Sequence, residues 1–497
     1  MSGAMIRSFL SKLTTFSGRS ALLAFFLING CASAPKSTRD SLPVEVPQAW
    51  SEYSAIQSQA GAEPKEAPDD WKSWLKDFDS PILIELVQEA LEYNYDLKAT
   101  AARLDAARYE VVSAGVDRLP HISGSLGGQR VARNFVGFPS GLSSGISDGG
   151  EVTRTTNNSF SLGLDLSWEF DLWGRLRDRK SAAIADLQAA RADFVGARLS
   201  LAAQTVQSWF SVLEAQLQLH LLEKTALSFQ DNADLIQERF DRGLSPALDV
   251  RLARANATSA QSGVAQQKLI LDERLRYLAV LLGRYPRLDG WGVRLSEDLP
   301  ELQTSAPVGT PVDLLIRRPD LVAAERRLAA AGVRVKEARK ALLPNIGLSA
   351  SGGTNSEAIE DLLNSDFSVW TLAGQVLQPL FQGRRLVAAL ERSKAVRREA
   401  LAYYAAAGLN AFQEVETALS AERFLAEEEM YMLQTAEESV AAEALARDRY
   451  RKGLTDIITV LDSQRRALDA QSDYLNVRLR RLTNRVTLYL ALGGGFE

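Results

Sequence analysis

The sequence predicts a mainly α-helical protein with a minor β part, built as an internal tandem repeat. Two observations support this prediction. The 497-residue chain contains two very long stretches whose apolar residues recur at helical spacing, and each follows segments of extended character. The order of these segments, and the short motifs at their borders, then recur in the second half of the chain. Two long copies indicate a duplicated domain, because solenoid arrays use many short repeats.

The two copies are expected at 81–283 and 305–492, joined by a linker at 284–304 and followed by a short tail at 493–497. The matching motifs are Asp96-Leu97, Arg103-Leu104 and Leu119-Pro120 with Asp320-Leu321, Arg327-Leu328 and Leu343-Pro344; Gly174-Arg175 with Gly383-Arg384; Arg239 to Leu244 with Arg449 to Leu454; and Leu282-Gly283 with Leu492-Gly493. Their register changes only between the Leu-Pro and Gly-Arg motifs. One loop is therefore longer in the first copy.

The N-terminus has the pattern of an export signal that ends at the only cysteine of the chain. Basic residues precede a compact apolar run at 21–28, which is too short to span about 30 Å of hydrocarbon. Residues 1–30 are therefore predicted to be a signal peptide cleaved before Cys31. The pattern resembles bacterial lipoprotein signals, in which the cysteine sulfur carries a lipid, and Ala32 implies sorting to the outer membrane. A chance thiol is the alternative.

Each copy opens with a helical stretch that runs into a proline. Proline cannot continue a helix, and it biases the residue before it to extended geometry. Pro120 and Pro344 therefore mark the junctions from helix to strand, and Gly174 and Gly383 mark the junctions from strand to long helix. The expected opening helical stretches are 81–118 and 305–342.

The segment from Ser159 to Phe170 alternates between apolar and polar residues almost without error. This period of two predicts a strand with one apolar face, and its length suits a tilted membrane-spanning strand. Trp168 and Trp173 crowd one end, as aromatic girdles do. A half-buried sheet in a soluble protein gives the same alternation. The other candidate strands are 121–131, 345–353 and 367–378, and the loops between strands are 132–157 and 355–366.

Four strands per chain cannot close a membrane barrel, because the smallest single-chain barrels have eight. An open sheet edge cannot face lipid, so membrane strands would require partner copies. A dimer would supply about eight strands and a trimer about twelve, and only the larger barrel leaves room for a pore.

The longest helices are expected at 175–241 and 384–451, where each measures about 100 Å at 1.5 Å per residue. They turn at Gly243 and Gly453 and return as helices at 246–283 and 456–492. Helices of this length cannot bury an apolar stripe within a compact globule, so they must lie against other long helices. A coiled-coil rod is the alternative.

Composition excludes several classes of function. The net charge of −5 shows no basic excess for nucleic-acid binding. The two histidines, His121 and His220, belong to no metal or nucleophile motif, and no phosphate-binding loop occurs. No enzyme activity, metal or cofactor is therefore expected. The acidic run Glu427-Glu428-Glu429 is expected to form a solvated helix face.

From about residue 70 to the end, the chain resembles the TolC-like outer-membrane efflux proteins, in particular their OprM- and NodT-like lipoprotein branch. The resemblance rests on the duplication, on Leu-Pro before each first strand, and on the tip motifs. It also rests on Asp171-Leu172-Trp173-Gly174-Arg175 and Gln378-Pro379-Leu380-Phe381-Gln382-Gly383-Arg384 after the second strands.

This resemblance implies a homotrimer with a twelve-stranded outer-membrane β-barrel and a periplasmic α-barrel of long antiparallel helices. An equatorial belt would include 32–80 and 284–304. The protein would be lipid-anchored in the bacterial outer membrane and extend into the periplasm. Its partners would be a periplasmic adaptor and an inner-membrane pump, most commonly of the RND type, and it would passively conduct drugs or toxic compounds to the exterior.

The resemblance also implies a gate at the periplasmic tip. Tyr450 matches a tip tyrosine, Asp249 its carboxylate partner, and Asp462 an acidic ring residue, whereas the companion position is Thr459 rather than Asp. The basic residues that could replace the usual lock are Arg242, Arg451 and Lys452. The tip turns expected to dock the adaptor are formed by Gly243, Leu244, Gly453 and Leu454.

Two further functions fit parts of the sequence. A lipid-anchored coiled-coil scaffold or surface adhesin would explain the helices and Cys31, but not the four strands. An outer-membrane component of another secretion system would share most of the same features.

Overall fold

The computed structural model describes residues 32–39, 42–44, 46–47, 49–51, 74–135, 153–287, 298–302 and 310–494. The predicted signal peptide, Cys31 and most of the predicted loop 132–157 lie outside these residues, as do parts of the predicted linker and tail.

The described residues form the same order of elements twice, two helices, two strands and two long helices. The first copy contains α1 Pro81–Tyr93, α2 Tyr95–Val116, β1 His121–Phe135, β2 Thr153–Phe170, α3 Arg175–Asp241 and α4 Ala247–Leu281. The second contains α5 Pro311–Arg317, α6 Pro319–Lys340, β3 Asn345–Ser356, β4 Ser368–Leu377, α7 Arg385–Arg451 and α8 Ile457–Ala491. The prediction of a mainly helical fold with a minor β part is confirmed.

The opening helical stretch of each copy is two helices rather than the single one expected. In the first copy the backbone becomes extended at Asn94, whose side-chain oxygen accepts a hydrogen bond from the Leu97 N–H at 3.0 Å and so starts a new helix. In the second copy it becomes extended at Arg318, because Pro319 follows and disfavours helical geometry before it.

The chain divides into two compact units, each described here by itself. The sheet unit comprises Met1–Lys36, Arg108–Asp186 and Ala329–Arg398, and the helical unit comprises Ser37–Ala107, Leu187–Leu328 and Glu399–Glu497. The sheet is antiparallel throughout, in the order β1-β2-β3-β4. Within the described residues β1 and β4 pair with no further strand, so both are edge strands.

The main core of the helical unit lies where α3, α4 and α8 meet the 3-10 turn Lys76–Phe78, which precedes α1. Trp74 stacks on Tyr489 with ring centroids 5.5 Å apart, and Phe210 lies 5.1 Å from Phe78. Trp209 is completely buried among them. Such large buried aromatic side chains supply much of the apolar area that stabilises a core.

The long helices are not continuously apolar. None of the helices in the described residues is both long enough and apolar enough to span a bilayer.

Candidate functional site

The register of the sheet places the predicted apolar residues of all four strands on one face. Leu164 lies opposite Gly124 and Gly352, Trp168 lies opposite Leu348, and Gly352 in turn lies opposite Trp370. Directly opposed residues of an antiparallel pair project to the same side. The other apolar members of this face are Ile122, Leu126, Phe160, Leu162, Leu166, Phe170, Ile346, Ala350, Leu372 and Val376.

None of the side chains of this apolar face is buried by the residues that the structure describes. Leu126 is 75% exposed, Leu164 63% and Trp370 80%, and every residue of β4 is exposed. The opposite face carries polar residues such as Ser125 and Asp165, whose side chains are hydrogen bonded at 3.1 Å. A sheet that exposes a continuous apolar face needs another apolar phase or partner to cover it.

β1, β2 and β3 are longer than predicted at the ends away from the helices, whereas β4 is one residue shorter than predicted at each end. β1 continues to Phe135 and β2 begins at Thr153, because their backbones stay paired beyond the region of regular alternation. The polar residues Asn157 and Asn158 lie within this extension. Hydrophobic alternation therefore marks only the apolar part of each strand, whereas backbone hydrogen bonding sets the full length.

The residues predicted at the helix–strand junctions are Pro120, Pro344, Gly174 and Gly383, and each lies beside the start of a strand or of a long helix. Pro120 is directly followed by β1, and Pro344 is directly followed by β3. Gly174 lies directly before α3, and Gly383 lies two residues before α7. Contacts tie one junction to another, since the Trp173 indole N–H donates to the Pro344 carbonyl at 2.8 Å and Lys340 donates to the Gly174 carbonyl at 3.1 Å.

At the first junction Asp171 caps α3. Its carboxylate oxygens accept hydrogen bonds from the backbone N–H groups of Leu176 at 3.0 Å and Arg177 at 2.7 Å. These amides have no partner within the helix, and a negative charge is favoured at a helix N-terminus. The Arg175 guanidinium also donates to both carboxylate oxygens of Glu169, at 2.7 and 2.9 Å, which fixes the end of β2 to the start of α3.

Both predicted tip turns have one backbone geometry. After α3, the N–H of Gly243 donates to the Phe240 carbonyl and that of Leu244 to the Arg239 carbonyl, both at 2.8 Å. After α7, Gly453 and Leu454 make the corresponding bonds to Tyr450 and Arg449, at 3.0 and 2.9 Å. This is the Schellman arrangement, and it requires positive φ at the glycine, which is +74° at Gly243 and +73° at Gly453.

A small apolar core holds the four helix ends together beside these turns. Ile236 is completely buried, and Val250, Tyr450, Ile457 and Val460 pack with it. Outside this core, Leu244 and Leu454 are 64% and 63% exposed. The tip therefore combines a buried core with two exposed leucines.

Tyr450 lies in this core with its ring under the guanidinium of Arg239, 5.0 Å from the ring centroid. Its hydroxyl is buried and has no hydrogen-bond partner among the described residues. The expected partner Asp249 is half-buried in the first turn of α4. Their predicted pairing is therefore not made within this single chain.

The acidic gate candidates are engaged on their own helix. Asp462 pairs with Arg465 and Arg466, both at 2.8 Å, and hydrogen bonds from these two arginines hold the pKa of its carboxyl below the ordinary value. Thr459 donates from its backbone and its hydroxyl to Asp456, at 2.8 and 2.7 Å. Asp456 is thus the N-cap of α8, and these bonds lower its pKa.

The basic tip candidates are all exposed. Arg242 pairs with Glu238 one turn earlier on α3, and Lys452 pairs with Asp448 on α7 at 2.6 Å. Arg451 is exposed beside Lys452. The structure therefore brings these residues to the two turns without joining the turns to each other.

Sequence reasoning missed a buried polar cluster above the tip. Gln464 of α8 accepts a hydrogen bond from the Asn232 side chain of α3 at 2.8 Å and donates to the Ser228 hydroxyl at 2.9 Å. Arg447 of α7 donates to the same hydroxyl and, at 2.7 Å, to Glu443. The cluster links three helices. The sequence signal for this cluster was the occurrence of polar residues at positions of the helical stripes that are otherwise apolar.

The acidic run on α7 was also misread, because Glu428 and Glu429 are not merely solvated. They belong to a ladder of ion pairs between α7 and α8, in which three arginines of α8 each pair with a glutamate of α7. The pairs are Arg480 with Glu428 at 2.8 Å, Arg481 with Glu429 at 2.5 Å, and Arg485 with Glu422 at 2.5 Å. Only Glu427 is exposed as expected. The ladder fixes the register of the two helices.

Within the described ranges, no group of three or more His, Cys, Asp or Glu side chains is arranged to hold a metal ion.

Comparison with known proteins places the chain among export channels. The family model described as outer membrane efflux protein matches residues 86–284 and 310–494. The pyoverdine export outer membrane protein OpmQ of Pseudomonas putida is 31% identical over 93% of this chain and 94% of its own length. The toluene efflux pump outer membrane protein TtgF of the same species is 29% identical over 95% of both.

Solved structures agree with this grouping. The outer-membrane channel OprN superimposes with a TM-score of 0.78 at 29% identity, over 94% of this chain and all of that one. The open state of the Neisseria gonorrhoeae MtrE outer membrane channel gives 0.73 at 26% identity, over 94% and 97%. The resemblance drawn from the sequence motifs is confirmed. The chain belongs to the outer membrane efflux protein family.

Proposed function

We propose that this protein is the channel subunit of a tripartite efflux system and passively conducts small molecules from the periplasm to the exterior. The observation that supports this most directly is the sheet, which has one continuous apolar face exposed on a single chain and two open edges. A scaffold or adhesin would need neither feature. As a passive duct, the protein would carry out no chemical reaction, and the pump would supply the driving force.

The dimensions of the apolar face suit a bilayer. On β2 it runs from Phe160 to Phe170, which is about 34 Å at 3.4 Å per residue. With the strand tilt of about 40° found in membrane barrels, this corresponds to about 26 Å along the membrane normal, close to the roughly 25 Å apolar band of such barrels.

The open edges of β1 and β4 require partner strands, because unpaired backbone groups are not tolerated in hydrocarbon. We propose that three copies close a twelve-stranded barrel. Two copies would give an eight-stranded barrel whose interior is filled by side chains, which leaves no passage. In the same trimer the long helices would form the periplasmic duct.

The protein is proposed to be anchored by a lipid on Cys31 and to reach through the periplasm. The cargo is proposed to be small organic molecules, since relatives are named for the export of pyoverdine and toluene. The partners would be a periplasmic adaptor, docked at Gly243, Leu244, Gly453 and Leu454, and an RND-type pump.

Purified protein in planar bilayers tests the channel. We expect stepwise conductance and, on gels of outer-membrane fractions, a trimer that dissociates on heating. A monomer without conductance would refute the proposal. Deletion of the gene, followed by susceptibility and accumulation profiling, identifies the cargo, and crosslinking from Leu244 or Leu454 identifies the adaptor.

The gate is a separate proposal. Tyr450 and Asp249 are proposed to hold the tip closed, assisted by Asp462, Thr459 and the basic residues Arg242, Arg451 and Lys452. The buried hydroxyl of Tyr450 supports this role, because it is positioned to donate once a carboxylate approaches.

Conductance of Tyr450→Phe and Asp249→Ala variants tests the gate. Both substitutions should raise the open probability. Tyr431→Phe is the matched control, because Tyr431 is exposed on the same helix as Tyr450. If all three variants conduct as the unmodified protein does, these residues do not form the gate.

A further inference from the structure

We propose that the helix-side end of the sheet binds the headgroups of anionic phospholipids. The inference rests on the proposed function, because it requires the strands to be inserted in a bilayer. The surface, called here the basic collar, consists of the four segments that adjoin the strands at this end. They are 115–120, 171–180, 336–344 and 378–385.

The collar is basic although the whole chain is acidic. It contains ten Lys and Arg against four Asp and Glu, whereas the chain carries a net charge of −5. At the other end of the strands, the connecting segments 136–152 and 357–367 contain six acidic residues and no basic ones. Arg130, Arg133 and Arg154 on the strands lie near that acidic end, and Glu169 on β2 lies near the basic end; each end keeps the sign of its charge when these residues are counted. Charge therefore changes sign along the strand axis.

Three of the four acidic residues of the collar are already engaged, and the fourth, Glu337, is only partly exposed. Asp171 caps α3, Asp117 pairs with Arg179 at 2.8 Å, and Asp178 pairs with Lys340 at 2.7 Å. Positive charge is left over on residues that have no such partner.

The residues that carry this surplus are exposed. Arg177, Arg339 and Arg384 form no ion pair with any other residue that the structure describes, and Lys336 is exposed about one turn from Arg339 on α6. Arginine is suited to phosphate because its planar guanidinium can donate two parallel hydrogen bonds. A structural role within the chain would instead place these side chains against carboxylates or carbonyls.

Apolar residues adjoin these charges. Leu380 is 92% exposed and Phe381 88%, while Trp173 is 45% exposed with its indole N–H bonded to a backbone carbonyl. Aromatic residues gather at the level of the headgroups in membrane proteins. The collar thus combines side chains for the acyl and glycerol region with side chains for phosphate, as a lipid-binding surface requires.

Net charge selects the class of lipid. A zwitterionic headgroup carries an ammonium group that opposes the basic collar, whereas a phosphatidylglycerol headgroup carries only the phosphate charge. Attraction of this kind grows with each Lys or Arg near the membrane surface and is screened by salt over about 10 Å.

Quenching of tryptophan fluorescence by brominated lipids tests the proposal on the full-length trimer in bilayers. Brominated phosphatidylglycerol should associate with the protein at least about threefold more strongly than brominated phosphatidylcholine at low salt. The ratio of phosphatidylglycerol to phosphatidylcholine association should fall towards one in the double variant Arg177→Gln with Arg339→Gln. It should fall in the same way in the unmodified protein at high salt.

Arg397→Gln with Arg398→Gln is the matched control. Both arginines are exposed in the same unit, and they lie roughly 20 Å along α7 from its start, beyond the reach of headgroup charge. This variant should keep the full preference.

The outcomes separate this inference from the proposed function. If brominated phosphatidylcholine does not quench at all, the strands are not inserted and the proposed function fails. If both lipids quench equally in the unmodified protein, or if both double variants lose the preference alike, the collar does not select anionic lipid. The salt titration uses the unmodified protein, so it tests the proposal even if a variant fails to fold.

Discussion

Replacing Gln464 by leucine should loosen α8 beside the tip. The Gln464 side chain is only 2% exposed, and it links α8 to α3 through Asn232 and Ser228. Ser228 keeps the hydrogen bond from Arg447 in the variant. The Asn232 amide, however, stays buried and loses its acceptor.

A buried polar group left without a partner costs about 1–3 kcal/mol. Each 1.4 kcal/mol is a factor of ten in an equilibrium, so local opening of α8 should become roughly 5- to 150-fold more frequent. Hydrogen exchange of the amides at 457–468 in the purified protein measures this opening, because exchange reports local unfolding.

Two variants make this measurement decisive. Asn476→Leu is the control, because Asn476 is exposed on the same helix and its side chain donates to a carbonyl of that helix at 3.1 Å. The pair Asn232→Leu with Gln464→Leu should exchange more slowly than Gln464→Leu alone, since the orphaned amide is gone. Exchange in Gln464→Leu that equals the control would refute the reasoning.

Three further predictions concern stability, measured by thermal or denaturant unfolding in detergent. Burial raises the pKa of Glu214, so the folded protein favours the protonated carboxyl and loses stability as pH rises above the ordinary pKa. Glu214→Gln, which stays neutral, should therefore stabilise the protein at pH 7 but not at pH 4. Gly283→Ala should cost clearly more than the roughly 1 kcal/mol expected for Gly243→Ala, because both glycines have positive φ but only at Gly283 would the new Cβ meet a backbone carbonyl, at 2.6 Å. Arg485→Met should cost up to about 3 kcal/mol, because the buried Glu422 loses its 2.5 Å partner and keeps only Arg481 at 3.7 Å and the Asn484 amide at 3.4 Å; adding Glu422→Leu should recover most of this loss.

The sequence was sufficient to predict the long elements. α3 was placed with both of its ends, because apolar periodicity over 67 residues is a strong signal and glycine marks its end. The apolar face of β2 was correct for a similar reason, since alternation fixes which residues share a face.

The contacts between elements could not be predicted in the same way. Nothing local marks Gln464 as the partner of Asn232, because the two residues are 232 positions apart and meet only after the helices pack. Glu428 and Glu429 were misread for the same reason, since their partners lie on another helix. The breaks at Asn94 and Arg318 were both missed, the second although Pro319 follows it, because each interrupts the helix for a single residue.

The two tip turns share a backbone but differ in charge. The first carries Arg239, Asp241 and Arg242, whereas the second carries Arg449, Arg451 and Lys452. A binding protein that reads only the turn geometry and the exposed leucine would find two equivalent sites on each chain. One that is sensitive to charge would distinguish them and prefer an acidic contact at the second. The duplicated chain thus presents the same backbone turn twice, with a different distribution of charge at each copy.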